Sequence, residues 1–388
     1  MTPLQALPTM LGGAGTDRDV AVDAQGNPDN TGRASDGGAV VSGNGSYVFY
    51  YTQASSNLAP TAIANPADDD VYLVRQNLIS GLSQVASIAA DGKTPVPVFD
   101  PGPSPPQIPL FLATDSDGSA VAYALPATKD TSAGAEYVHD FTTGTTWQIA
   151  SGATDDTLYG VSGNGTIVTY GGTGTGGVGH IYRQVQGGSP QQIDSCASTS
   201  PSGCGTQASM SSDGNLIAYE GPGANGDAGI YLYDATDGYN ANLFPANTAN
   251  GDQLTYPLIS ADGSHILASY ASATNPDAEG LVIKQVSGDK STTVTASDIR
   301  VPYLAYEIQP MSISTNGSAF AYWADDPDQE NGWFALYHAG KSQIAPQLTS
   351  SYPETADITG DGSSLVYTAT MVGVSPLNYP GVYEWQLP

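Results

Sequence analysis

Ser211-Ser-Asp-Gly-Asn-Leu-Ile-Ala-Tyr219 is one copy of the phrase that decides the fold: a hydroxyl residue, any residue, Asp or Asn, then Gly, followed by a β-rich run. Asp-Gly or Asn-Gly between apolar runs is the strongest short-range hairpin signal, because a type I′ turn needs positive φ at both central residues. The phrase therefore predicts a turn between two antiparallel strands. It recurs at Ser42-Gly-Asn-Gly45, Ser162-Gly-Asn-Gly165, Ser260-Ala-Asp-Gly263, Ser314-Thr-Asn-Gly317 and Thr359-Gly-Asp-Gly362. A seventh copy, Asp115-Ser-Asp-Gly118, carries Asp in place of the hydroxyl residue. The signature glycines stand 73, 47, 49, 49, 54 and 45 residues apart, a period in the range of propeller blades.

A second β run follows each hairpin, as in Asp70-Val-Tyr-Leu-Val-Arg75, Gly229-Ile-Tyr-Leu-Tyr-Asp234 and Gly332-Trp-Phe-Ala-Leu-Tyr337, and a more polar third run follows that, as in Thr145-Thr-Trp-Gln-Ile149. Four strands per unit and seven units predict an all-β, seven-bladed β-propeller with four-stranded antiparallel blades, forming one domain over 1–388. The blades are expected near 38–89, 109–150, 158–194, 207–244, 255–296, 308–348 and 354–388 plus 17–23. The last unit stops after three strands, at Gly381-Val-Tyr-Glu-Trp-Gln-Leu387, and an open edge strand is an aggregation hazard. The orphan segment Arg18-Asp-Val-Ala-Val-Asp23 is expected to pair with that strand and close the ring.

Composition removes several classes of function. Ten Lys+Arg against 38 Asp+Glu give a formal net charge of −28, so the chain has no basic footprint for nucleic acid or anionic lipid. Nowhere do eighteen consecutive apolar residues occur, so no membrane insertion is expected. Cys196 and Cys204 sit in a polar loop with neither His nor further Cys to complete a zinc site. They are read as a loop disulfide, which implies an oxidising compartment, with two free thiols as the alternative. The first residues have neither a basic n-region nor a continuous apolar stretch, so no signal peptide is read there. An extracellular or periplasmic location is expected, with the export signal outside this sequence.

The repeated Ser-x-Asp-Gly units resemble those of TolB-like β-propellers. The first unit, from Ser42 to Arg75 with Ser56-Asn57-Leu58 and Asp70-Val-Tyr72, is especially similar to extracellular bacterial members, and the likeness runs from about residue 17 to 388. This resemblance implies a fold. It implies no single activity, because the superfold hosts scaffolds, receptors, lectins, lyases and hydrolase appendages. The Tol-system protein also carries an N-terminal α/β domain for which the repeat leaves no room here, so its role is not carried across.

Loop length points to one face. Connections within the signature hairpins and between third and fourth strands are short, whereas 52–69, 89–108, 195–206, 271–278, 297–307, 324–331 and 371–379 are long and emerge together at the opposite end. Binding residues concentrate on loops held by a rigid scaffold, so this decorated face is the expected site. The Pro-rich stretch from Pro95 to Pro106 reads as a stiff, solvated excursion. The sharpest local candidate is Trp323-Ala-Asp-Asp-Pro-Asp-Gln-Glu-Asn-Gly-Trp333. Asp325, Asp326, Asp328 and Glu330 offer hard oxygen ligands suited to calcium, with a solvated acidic loop as the alternative. Trp323 and Trp333 suit stacking on a sugar ring or a peptide. Tyr303 and Tyr306, with Arg300 nearby, form a second candidate binding surface. Trp147, Trp385 and the recurring Tyr123, Tyr170, Tyr219 and Tyr367 read as core.

Catalysis is not expected. The four histidines scatter, and there is no zinc spacing, nucleophile elbow or phosphate loop leading into a helix. Asp115, Glu307, Glu354 and Asp357 lie in or near first strands, which line the channel, so a carbohydrate-active enzyme with paired carboxylates remains the alternative. A uronate lyase would want basic residues that this sequence rarely has. The reading is a monomeric binding module for a protein or neutral glycan, with a structural module of a larger surface protein as a third possibility.

Overall fold

The computed structural model describes residues 16–23, 25–27, 39–60, 63, 70–98, 112–125, 135–149, 157–173, 179–194, 207–222, 228–245, 253–271, 280–287, 291–295, 308–326, 331–344, 355–370 and 380–386. These residues form seven four-stranded antiparallel sheets arranged as a ring, with no helix among them. The innermost strands are Ala39–Val41, Leu112–Thr114, Thr157–Val161, Ala208–Met210, Gln253–Ile259, Ile308–Ile313 and Ala356–Ile358 in blades one to seven. The all-β seven-bladed propeller is the observed fold.

The ring closes as expected, with a shifted register. Thr16–Asp19 is the outermost strand of blade seven, pairing Thr16 with Gln386 and Asp19 with Tyr383. Val20 adds a further bond to the Val382 carbonyl at 2.9 Å. The rest of the expected strand crosses to blade one instead. Val20 and Ala21 join the core between blades seven and one, the Val22 carbonyl accepts Gln76 Nε2–H at 2.7 Å, and Asp23 accepts Asn57 Nδ2–H at 3.0 Å. One segment thus grips both ends of the ring.

Stability resides between blades. Seven apolar clusters each bridge two neighbouring blades, as where Leu281 of blade five meets Phe320 and Ala335 of blade six. A blade buried on both faces needs apolar residues at consecutive strand positions, which is why Tyr47-Val-Phe-Tyr-Tyr51 reads as a continuous run. The tyrosine five residues after the signature glycine is fully or nearly fully buried in six blades: Tyr50, Tyr123, Tyr170, Tyr219, Tyr322 and Tyr367. Three of these stack on a cross-strand tyrosine at 5.5 to 6.1 Å, as Tyr219 does on Tyr231, and Tyr367 meets Tyr383 at 5.9 Å with the rings tilted. Trp385 is buried, and half-buried Trp147 donates its Nε1–H to the Gly165 carbonyl at 3.1 Å.

The signature turns differ from the expected type I′. Only the glycine takes positive φ, from 67° at Gly45 to 75° at Gly362, while the preceding Asp or Asn does not. The physical reason is the hydroxyl. In six blades it accepts the N–H five residues on, as Ser211 Oγ does from Leu216 at 3.0 Å, and donates to the Asp or Asn two residues on, as to Asp213 Oδ1 at 2.7 Å. This side chain replaces one ladder bond and makes room for a longer turn. A turn of the expected conformation occurs elsewhere, at Ala339 (φ 52°) and Gly340 (φ 77°), linking the paired residues His338 and Lys341.

The position that the sequence leaves unspecified in each signature is occupied by Gly43, Ser116, Gly163, Ser212, Ala261, Thr315 and Gly360, all small. These turn tips converge on the axis. Ser212 N–H donates to the Ala261 carbonyl at 2.8 Å, Thr315 N–H to the Gly360 carbonyl at 2.8 Å, and Gly360 N–H to the Gly43 carbonyl. Ser212 Oγ reaches Ser116 Oγ at 3.3 Å past blade three, where a Cβ on Gly163 would fall 2.5 Å from Ser212 Oγ. The tips floor the channel at this end.

The Pro-rich stretch also departs from expectation where it is described. Val96 and Val98 donate to the Ser87 and Val71 carbonyls at 2.9 and 2.8 Å, and Val98 is fully buried against blade one. Alternate apolar residues let the segment lie along the blade edge, so its start is packed rather than solvated.

Two substitutions test this account. A Cβ at Gly360 would lie 2.3 Å from both the Gly43 carbonyl and Thr315 Oγ1, so Gly360→Ala should cost about 1–3 kcal/mol in urea denaturation. Ala339→Asn, which tolerates the left-handed backbone, should raise stability by about 0.5–1 kcal/mol and lift the melting temperature.

Candidate functional site

Antiparallel order puts the first-to-second and third-to-fourth connections at one end and all others at the opposite end. At the floored end no connection among these exceeds five residues, as at 211–215 and 286–290. The opposite end carries 54–70, 86–111, 193–207 and 296–307. The expected asymmetry between faces is therefore present in the fold.

A cavity of about 210 Å³ lies on the axis above the turn tips. Val41, Val161, Ile259, Ile313 and Ile358, with Met210 and Met311, give it a largely apolar wall, and Asp115 and Asp357 are its two carboxylates. No Lys, Arg or His is among the described residues lining it. The expectation that Asp115 and Asp357 reach the channel is met, while Glu307 and Glu354 lie outside the described residues.

Asp357 is committed to the ring itself. Its Oδ2 accepts Val41 N–H of blade one at 3.2 Å; its Oδ1 accepts Ile358 N–H at 2.9 Å and the Ser312 hydroxyl of blade six. Three blades are joined by one carboxylate. It is half-buried in the cavity wall, and the loss of solvent around it there raises its pKa despite the donors. Ser209 Oγ plays a similar part between blades four and five, accepting Ile259 N–H at 3.1 Å. Thr355 Oγ1 accepts Ala39 N–H at 2.9 Å between blades seven and one.

Asp115 is almost completely buried at the floor of the same cavity. Its Oδ2 accepts the Ser119 hydroxyl at 2.6 Å, and burial pushes its carboxyl up to about 6. Both channel carboxylates are thus engaged by donors of the chain itself.

The described residues place the sequence candidates as follows. Trp323 is half-buried, packs on the core between blades six and seven, and meets the Phe334 ring edge-on at 5.3 Å. Asp325 and Asp326 are strand residues paired with Gly332 and Asn331, so the connection read as 324–331 shortens to 327–330. Trp333 lies on the partner strand opposite Ala324. Asp328, Glu330, Arg300, Tyr303, Tyr306, Cys196 and Cys204 lie outside the described residues. No group of three or more His, Cys, Asp or Glu able to hold a metal occurs among the described residues.

One pair escaped the sequence reading. His180 Nδ1 and Asp194 Oδ1 are 2.8 Å apart and buried, and Asp194 Oδ2 accepts Ile181 N–H at 2.6 Å. Gln192 Nε2 donates to Asp194 Oδ1 at 3.0 Å. The pair clamps the third and fourth strands of blade three where they meet the long connections. Only hairpin pairing brings residues fourteen positions apart together, so a scan for local motifs misses them.

No family model matches the chain, and no curated protein matches it. Solved structures do. The chain is similar to the β-propeller domain of the Trilobed protease from Pyrococcus furiosus, at 11% identity over 92% of this chain and 97% of that one, TM-score 0.56. It is similar to an oligogalacturonate lyase from Vibrio parahaemolyticus, at 10% identity over 96% and 91%, TM-score 0.57. TolB from Acinetobacter baumannii is similar at 16% identity over 79% of this chain, TM-score 0.46, and the chain spans 65% of that structure. The propeller fold that the resemblance implied is the one observed, and the protease and lyase structures share it. At such identities the likenesses speak to fold alone.

The role of Asp357 is directly measurable. Asp357→Ala strands Val41 N–H and the Ser312 hydroxyl, so equilibrium denaturation should show a loss of about 3 kcal/mol. Asp357→Asn, which keeps one acceptor oxygen, should cost less.

Proposed function

We propose that this chain is an exported binding module that engages a protein or neutral glycan through the face carrying the long connections, without catalysis. The observation that carries the reading is the contrast between the ends of the ring. One end is a floor of short turns whose polar groups satisfy one another; the other gathers every connection longer than five residues. A rigid ring supporting variable loops is the usual arrangement for recognition. The cavity beneath that face supports the same view, since Asp357 is used to join blades.

A lyase acting on a uronate polymer is the less favoured reading. Such a reaction wants cationic groups against the substrate carboxylates, and the described channel lining offers none. The net charge of −28 would further repel a polyanion. An oxidising compartment agrees with the paired spacing of Cys196 and Cys204, and an extracellular or periplasmic site is part of the proposal.

Peptide and neutral-glycan arrays test this, with and without a calcium chelator. Tyr303→Ala with Tyr306→Ala should weaken any binding at least tenfold. Tyr239→Ala, an exposed side chain at the floored end, should leave it unchanged. Binding lost in the second variant and kept in the first would reverse the assignment of faces. Trp323→Ala is a poor probe, because its packing on Phe334 makes it a stability variant.

A further inference from the structure

In six blades the first signature residue is a hydroxyl with two duties, accepting the N–H five residues on and donating its own proton to the Asp or Asn two residues on. Blade two has Asp115 at this position. Its carboxylate faces Ala120 N–H, the donor of the first duty, takes the Ser119 hydroxyl at 2.6 Å on Oδ2, and lies against the Asp117 carboxyl, which occupies the place of the acceptor. An ionised carboxylate has no proton for the second duty. Oδ1 of Asp115 is buried and meets no donor. Asp117 Oδ1 meanwhile accepts Ser119 N–H at 2.8 Å, as its counterparts do in the other turns.

We propose that Asp115 and Asp117 share a proton that latches the blade-two turn, making this part of the channel floor a pH-sensitive element. Protonated, Asp115 donates to Asp117 and completes the bond found in the other six turns. Ionised, the two carboxylates repel at a turn whose tip, Ser116, receives Asn44 N–H of blade one at 2.7 Å and Ser212 Oγ–H of blade four.

The surroundings favour the neutral acid. Burial is the main cause that pushes Asp115 up to about 6, and the charge of Asp117 acts in the same direction. Arg75 of blade one faces the pair, its guanidinium held over the rings of Tyr47 at 3.6 Å and Phe141 at 4.3 Å, and it tempers the repulsion once both acids ionise. His139, on the third strand of blade two, is held neutral by burial, which lowers its pKa to about 4. Asp357, lining the same cavity from blade seven, is tied to Val41 and Ser312.

Asp115 titrates higher folded than unfolded, so its stabilisation is complete below about pH 4 and is lost as pH rises through about 6. Urea denaturation of the full chain and of Asp115→Ser, which restores the hydroxyl, reads this between pH 4.8 and 7.5, above the pI near 4.1. The folding constant of the unsubstituted chain relative to Asp115→Ser should fall by up to about tenfold per pH unit until about pH 6 and then level. Parallel profiles would overturn the proposal. Carbon NMR of the aspartate carboxyls gives an independent reading, with the resonance lost in Asp115→Ser titrating near pH 6. Asp117→Asn should move that midpoint toward the ordinary carboxylate range, and an unmoved midpoint would also sink the shared proton.

Discussion

The structure depends on a hydroxyl that is donor and acceptor at once. In six of the seven signature turns a Ser or Thr bonds forward to a backbone N–H and to the following Asp or Asn, and in all seven the glycine takes the left-handed conformation. Neither an alanine nor a carboxylate can do both at neutral pH. The turn needs no support from outside because that side chain completes its hydrogen bonding internally. Short, self-satisfied turns can then crowd together at the axis, where a longer loop would collide.

Crowding at the tips organises the rest of the ring. Backbone bonds such as Asp262 N–H to the Thr315 carbonyl at 3.0 Å hold neighbouring tips at fixed spacing. Blades set at that spacing bury both faces, so the hydrophobic core is an annulus of seven interfaces instead of one centre. Each interface depends on both neighbours, and the N-terminal strand in blade seven makes the last interface possible.

This division of labour explains why function is expected at one end only. The floored end is committed to its own hydrogen bonds, and the channel polar groups Asp357, Ser312 and Ser209 are spent on joining blades. What remains free to vary is the rim of long connections. Blade two is the exception within the floor, because Asp115 brings a titratable group to a position that is otherwise neutral.

The seven signatures, their spacing and the orphan N-terminal segment were enough to determine blade number, strand order and ring closure, since local turn chemistry and hydrophobic runs are properties of consecutive residues. The candidate site was less legible. Trp323 looks like a ligand platform in sequence, yet blade seven supplies a core for it to pack against. His180 and Asp194 look unrelated until a hairpin aligns them. The small residues at the turn tips looked arbitrary, because the neighbours that limit their size belong to other blades, as Gly43 and Thr315 limit Gly360. The sequence by itself determined what each blade is. Only the tertiary structure decided what the blades do to one another, because those contacts join residues separated by tens to hundreds of positions and leave no periodic mark in the chain.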